Sequence, residues 1–146
     1  MVDALTPFER ESAHATETYN EKTQCILKAT DGKNTLGFIS CALCNEIYGV
    51  EGRKRVSHWY ATIAVKPEYR GMGIAETLVN GFLRKVKKEK RGKFLIWHCM
   101  ECNEASAALA RKFGGVQFKS PWEGWKSFLI SLTQQPPQDF IQKYLA

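Results

Sequence analysis

The 146-residue chain has no apolar run approaching the ~20 residues that cross a bilayer, so no membrane-spanning helix is expected. Its first residues, Met1-Val2-Asp3-Ala4, lack the basic and apolar regions of a secretory signal, and the expectation is a cytoplasmic protein. There are no internal repeats and no low-complexity segments. The cysteines, five in number, cannot all pair within the chain. In a reducing compartment such thiols behave as small buried hydrophobes. Two phosphate-binding signatures are also missing. A P-loop needs Gly-Lys followed by Ser or Thr, yet Gly32-Lys33 and Gly92-Lys93 lead into Asn34 and Phe94. A dinucleotide fingerprint begun at Gly71-Met72-Gly73 would need glycine where Glu76 stands.

What is there suits one globular domain over residues 1–146, with a core at 23–132 and a tail at 133–146. Hydrophobic residues at 44% and charged residues at 25% exclude wholesale disorder. The net charge of +6 is concentrated between Arg84 and Lys93, where seven residues are basic and one is acidic. Nucleic acid, an acidic protein surface or a phosphorylated cofactor would each answer to it. A solvated helix end explains it better, since cations belong at helix C-termini in any case.

Thr6-Pro7-Phe8-Glu9 reads as a helix start, with a threonine N-cap and proline at the first helical position. That helix runs to Asn20. Gln24–Thr30 and Thr35–Cys44 read as strands of a hairpin around Asp31-Gly32-Lys33-Asn34, and Asn45–Arg55 as a loop. Val56–Val65, rich in β-branched and aromatic residues, is a third strand. From Gly71 the period turns helical, with Ile74, Leu78, Phe82 and Val86 every four residues. Arg91-Gly92 stops that helix and Phe94–Cys99 is a short apolar strand. Asn103 N-caps a second helix, closed by Gly114-Gly115. Val116–Phe118 and Ser127–Leu132 are the final strands, with Trp122 and Trp125 in the loop between them. Asp139–Leu145 is a last amphipathic piece. The order predicts an α+β fold with a mixed, mostly antiparallel sheet flanked by helices.

The segment Val65-Lys66-Pro67-Glu68-Tyr69-Arg70-Gly71-Met72-Gly73-Ile74-Ala75 is the most informative. A strand ends, proline forces a turn, and glycines bare the backbone just as a long helix begins. Successive N–H groups at the positive end of a helix dipole make an anion site. The pattern Arg-x-x-Gly-x-Ala at residues 70, 73 and 75, preceded by Val-x-Pro, resembles the pyrophosphate-binding signature of the GNAT superfamily of acetyl-CoA-dependent N-acetyltransferases. A second segment, Asn103 to Gly114, is similar to that family's asparagine-to-glycine helix, and the resemblance extends over Thr23–Leu132.

The resemblance implies a GNAT-like twisted sheet with a shortened N-terminal region. It implies acetyl-CoA as co-substrate and no metal. The strand through Ile63, Ala64 and Val65 would bond the pantetheine arm. The amides of Arg70, Gly71, Met72, Gly73, Ile74 and Ala75 would hold the pyrophosphate. Asn103 would touch the arm from the far side, with the thioester between the third and fourth strands. Many members carry a tyrosine seven residues after the asparagine, to protonate the thiolate; here that position is Ala110. The strand face that carries a base in some members shows Trp59, Ala61 and Ile63, while His58 and Tyr60 face the other way. His98 matches a position where ribosomal-protein-type N-terminal acetyltransferases carry a glutamate, and imidazole has a suitable intrinsic pKa for a base.

Only about twenty residues precede the hairpin, where the family places helices that wall the acceptor pocket. An open acceptor side suits a peptide, protein or RNA end better than a buried small molecule, and a protein or peptide amine is the acceptor expected. Two alternatives stand beside that: an RNA-directed (for example aminoacyl-tRNA) acetyltransferase, with Lys85–Lys93 tracking phosphates, and a non-catalytic acyl-CoA-binding module. Cys41-x-x-Cys44 and Cys99-x-x-Cys102 are spaced like two halves of a zinc ribbon. Cys41 and Cys44 lie in a strand, however, where residues three apart face opposite sides, so inert thiols are expected.

Overall fold

The computed structural model describes residues 23–44 and 58–142. The expected helix over Thr6–Asn20, the loop at 45–55, the first two residues of the third strand and the last residues of the tail lie outside them. Among the described residues, six strands are hydrogen-bonded in the order β1-β2-β3-β4-β6-β5. They are β1 (Gln24–Thr30), β2 (Thr35–Cys44), β3 (His58–Val65), β4 (Phe94–Met100), β5 (Val116–Phe118) and β6 (Trp125–Ser131). The helices are α1 (Ile74–Glu89), α2 (Glu104–Lys112) and α3 (Pro137–Phe140). Among the described residues, no helix is long and apolar enough to cross a membrane. The chain divides into two compact units, residues 23–42 with 61–88 and residues 43–44, 58–60 and 89–142 among those described.

In the first unit β1 and β2 form an antiparallel hairpin with Cys25 opposite Cys41. Its turn is held by Asp31, whose Oδ1 accepts the Asn34 and Lys33 N–H groups at 2.7 and 2.9 Å. Those two bonds hold the exposed Asp31 carboxyl below its ordinary range. Gly37 is required by closeness: a Cβ there would meet the Ala64 carbonyl oxygen of β3 at 2.9 Å. The Lys66 N–H donates to Leu36 O at 2.9 Å, extending the contact past the end of β3. Helix α1 buries Leu78, Val79, Phe82, Leu83 and Val86. Gly81 faces Leu27 of β1, whose side chain a Cβ would meet at an ordinary contact distance of 3.4 Å. Arg84, Lys85, Lys87 and Lys88 are exposed along its C-terminal half. Lys90, at φ 55°, follows the helix end.

In the second unit β4 is central and nearly all buried. It runs parallel to β3 over His58↔Phe94, Trp59↔Leu95 and Tyr60↔Ile96 and antiparallel to β6. A parallel neighbour needs a crossover connection, which α1 supplies along the chain. One face of β4 packs Phe94 and Ile96 with Phe118, Leu129 and Phe140, and Tyr60 and Ile141 lie against them. On the other, Trp97 Nε1–H donates to Ser106 Oγ of α2 at 2.9 Å. Trp59 Nε1–H donates to Arg91 O at 3.0 Å, beneath the Arg91 guanidinium at 5.5 Å. Gly92 lies so close that a Cβ would fall 2.7 Å from the Trp59 ring.

Several boundaries differ from the sequence reading: β6 ends at Ser131 rather than Leu132, and α3 begins at Pro137, two residues before the expected Asp139. Helix α1 begins at Ile74 rather than Gly71, because Gly71 and Gly73 take positive φ, which the right-handed helix does not contain. β4 extends one residue further, to Met100. β6 starts at Trp125, two residues early, because Trp125 pairs with Met100 and so belongs to the strand and not to the loop.

Candidate functional site

The glycine loop belongs to the first unit. After Val65 the chain makes a 3-10 turn over Pro67–Tyr69, closed by Tyr69 N–H to Lys66 O at 2.9 Å and Arg70 N–H to Pro67 O at 3.3 Å. The Arg70 side chain folds back, its Nε–H donating to Val65 O at 3.2 Å. Arg70 thus holds the loop to the strand end with both backbone and side chain. Of the amides expected to meet an anion, that of Arg70 is already committed to the turn. Gly71 and Gly73 follow at φ 81° and 76°, and a Cβ at either would meet nothing within 4 Å. Backbone conformation, not crowding, demands glycine at both positions, and the space over them is open. The helix opens with the Thr77 N–H on Gly73 O at 3.0 Å, and Thr77 Oγ1 also donates there. The amides of the first turn, Ile74 and Ala75 among them, have no intrahelical partner by construction. Exposed glycines at the start of a 16-residue helix fit a diphosphate. Ile63, Ala64 and Val65 lie in the same unit, partly buried at the end of β3.

His98 and Asn103 lie in the second unit. Asn103 has the expected place: its Oδ1 accepts the Ser106 N–H at 3.1 Å and caps α2. His98 comes near the end of β4 on the face of Phe94 and Ile96, as strand alternation requires. Its Nδ1 is 2.6 Å from Ser127 Oγ, its partner across the β4–β6 ladder. Tyr60 stacks on the ring at 5.7 Å and 20°, and Trp122 meets it edge-on at 4.7 Å. Burial pulls the His98 pKa from 6.5 down to about 4. The ring is therefore neutral at any ordinary pH but holds a proton weakly, unlike the imidazole of unperturbed basicity that the sequence suggested.

The profile of the acetyltransferase (GNAT) family matches residues 2–115. The chain belongs to that family. Solved structures of similar fold include the ribosomal-protein-S18-alanine N-acetyltransferase from Escherichia coli, with a TM-score of 0.62 and 14% identity over 92% of this chain and 83% of that one. An N-acetyltransferase from Staphylococcus aureus Mu50 gives 0.65 and 21%, over 88% and 79%. Arabidopsis thaliana NAA60 in complex with a bisubstrate analogue gives 0.63 and 14%, over 88% and 96%. At these identities the likeness is one of fold. Among curated proteins no match is found.

Three positions of this GNAT chain bear on the family's usual arrangement. Ala110, where many members have tyrosine, is fully buried (0% exposed) within the second unit. The space its methyl fills is core. Trp122 and Trp125 are 41% and 40% exposed and meet edge-on at 6.2 Å, so neither is a core anchor. Cys25 and Cys41 are buried side by side in the hairpin, and desolvation with mutual repulsion raises the Cys41 thiol far above its ordinary range. Ser127 escaped the sequence reading altogether. Its only signal was a serine opposite His98 in a strand pairing that the residues do not announce.

Proposed function

We propose that the chain transfers an acetyl group from acetyl-CoA to the α-amine of a protein or peptide. The observation that carries this is the pair of positive-φ glycines with open space above them at the start of α1, in a chain whose family uses such loops for acetyl-CoA. Gly71 to Ala75 would hold the diphosphate by backbone amides, with Arg70 fixing the loop. The backbone of Ile63, Ala64 and Val65 would pair with the pantetheine arm, and Asn103 would add a contact to it. Bound acetyl-CoA would supply a thioester: the amine nitrogen bonds to the acetyl carbon, the C–S bond breaks, sulfur leaves with the electron pair, and one proton leaves the nitrogen.

The low basicity of His98 bears on the acceptor. An α-ammonium ionises near ~7.7–8.0 and a lysine ammonium near ~10.4. At pH 8 roughly half of the first but under ~1% of the second carries a free lone pair. A site with a weakly basic imidazole is better matched to an amine that solvent alone can deprotonate. The fold likeness to the ribosomal-protein-S18-alanine N-acetyltransferase agrees with that choice.

The test is release of coenzyme A thiol from acetyl-CoA with a panel of tetrapeptides bearing free α-amines, against Nα-blocked lysine peptides and RNA. Release with the free α-amines alone is expected. Release with blocked lysine peptides would overturn the α-amine assignment. Tight acetyl-CoA binding without release to any amine would make the chain a binding module.

A further inference from the structure

Ser127 is fully buried (0% exposed), and among the described residues its hydroxyl has His98 Nδ1 as its hydrogen-bond partner and no other. The second ring nitrogen of His98, Nε2, is buried and has no partner among the described residues. A neutral pair can place its protons in two ways. If Nδ1–H donates to Ser127 Oγ, the hydroxyl hydrogen lacks an acceptor and the Nε2 lone pair lacks a donor. If the hydroxyl donates to Nδ1, the serine hydrogen is satisfied and Nε2–H alone lacks a partner. The second arrangement leaves fewer buried polar groups unpaired, and each unpaired group is costly.

The surroundings keep the ring neutral, and exposed apolar side chains stand beside it. Tyr60 of β3 stacks on it, with His58 edge-on to Tyr60 at 4.9 Å. Trp122 stands edge-on, and Trp122, Trp125 and Met100 are exposed. On β6 the residue beside Ser127, Lys126, alternates to the opposite face, where it is paired with Glu104 at 2.9 Å. Among the described residues the facing groups are thus a phenol, an indole and a hydroxyl. An unpartnered N–H beside exposed apolar surface calls for an uncharged oxygen acceptor, and a peptide backbone carbonyl is one.

We propose that Ser127 is a positioning residue that holds His98 as its Nε2–H tautomer, and that this N–H donates to the carbonyl oxygen of the acceptor's first residue. The second half rests on the reading of the chain as a peptide α-amine acetyltransferase; the first does not. His98 then selects and orients an acceptor and takes no proton from it. Ordinary primary amines, which lack that carbonyl, gain nothing from the residue.

Nitrogen-15 NMR of the imidazoles in the free protein tests the first half. Nε2 should carry the proton in the wild type. Ser127→Ala should raise the His98 titration midpoint, because a bond that favours the neutral ring has been removed. A wild-type Nδ1–H tautomer, or a midpoint unmoved or lowered in Ser127→Ala, would overturn it. For the second half, the best tetrapeptide of the α-amine panel is compared with the alkylamine that lacks its first carbonyl. His98→Ala should lower kcat/KM for the peptide about tenfold, the size of one neutral hydrogen bond. His98→Gln, which keeps an N–H donor, should stay within about threefold of wild type. The alkylamine should respond to neither. Equal losses in both variants would make His98 a proton acceptor and overturn the donor role. If no peptide were acetylated, the functional reading would fall while the NMR result still decided the tautomer.

Discussion

The side chain of Asn103 closes the first turn of α2 by accepting the Ser106 N–H at 3.1 Å. The same serine's hydroxyl accepts from Trp97 Nε1 at 2.9 Å, so the cap is joined to the buried strand β4. A cap in this position and a proposed contact to the pantetheine arm draw on one side chain, and they separate by substitution.

Asn103→Ala should lower unfolding free energy by about 1 kcal/mol, the usual loss for a capping residue. Asn103→Asp keeps a capping oxygen but loses the amide donor. It should retain most of the stability while weakening acetyl-CoA binding by about three- to tenfold. Urea unfolding and calorimetry on the two variants give the comparison. Equal affinity in wild type and Asn103→Asp would confine Asn103 to capping.

Gly73→Glu places a side chain and a negative charge on the bare loop at φ 76°. Acetyl-CoA binding should be lost, by 100-fold or more. The substitution is also strained, since a non-glycine residue at such a φ costs on the order of 1 kcal/mol. Gly32→Ala, at φ 95° in the hairpin turn, carries similar strain away from the loop. It should unfold somewhat earlier and bind acetyl-CoA as wild type does. Unchanged calorimetric affinity in a folded Gly73→Glu protein would remove the loop from the site.

The elements were legible wherever a period or a cap controls them. β1, β2 and β5 begin and end where alternation and turn residues place them. Asn103 and Gly114-Gly115 bound α2 as their chemistry dictates, with Gly114 at φ 84°. The start of α1 was misplaced because Gly71 and Gly73 do not disclose their φ values in sequence. Trp125 was misplaced because its strand membership depends on Met100, twenty-five residues earlier. The same limit hid the site chemistry. The basicity of His98 is set by burial and its tautomer by Ser127, and both come from the β4–β6 register.

Placing a tyrosine at Ala110, where many members of the family carry one, would be a direct way to protonate the departing sulfur. The structure argues against that. A residue with 0% exposure in the second unit has no room for a phenol, and overpacking a core costs about 1–3 kcal/mol, sometimes more. Gly115 is close too, since a Cβ on it would fall 2.7 Å from the Ala110 carbonyl oxygen. Ala110→Tyr should therefore lower the melting temperature by several degrees and not raise kcat. A variant as stable as wild type with faster turnover would show that the helix can turn this position outward.

The last prediction concerns acid stability. His98 titrates near 4 in the folded chain against an ordinary 6.5, because burial disfavours its charged form. Between those values the unfolded chain binds more protons at this residue than the folded one. Its contribution to stability is thus fully present above pH 6.5 and declines as pH falls toward 4, below which it no longer changes. His98→Gln removes the titration but fits a similar space and leaves the other ionisable groups in place. Their effects, including that of Glu104 with its carboxyl held low by Lys126, cancel in the comparison. Urea unfolding of both proteins at pH 7, 5.5 and 4.5 should show the wild type losing more stability than His98→Gln over that range. Parallel pH dependences would mean that the imidazole is as well solvated in the folded protein as in the unfolded one, and the buried-donor assignment for His98 would fall with that result.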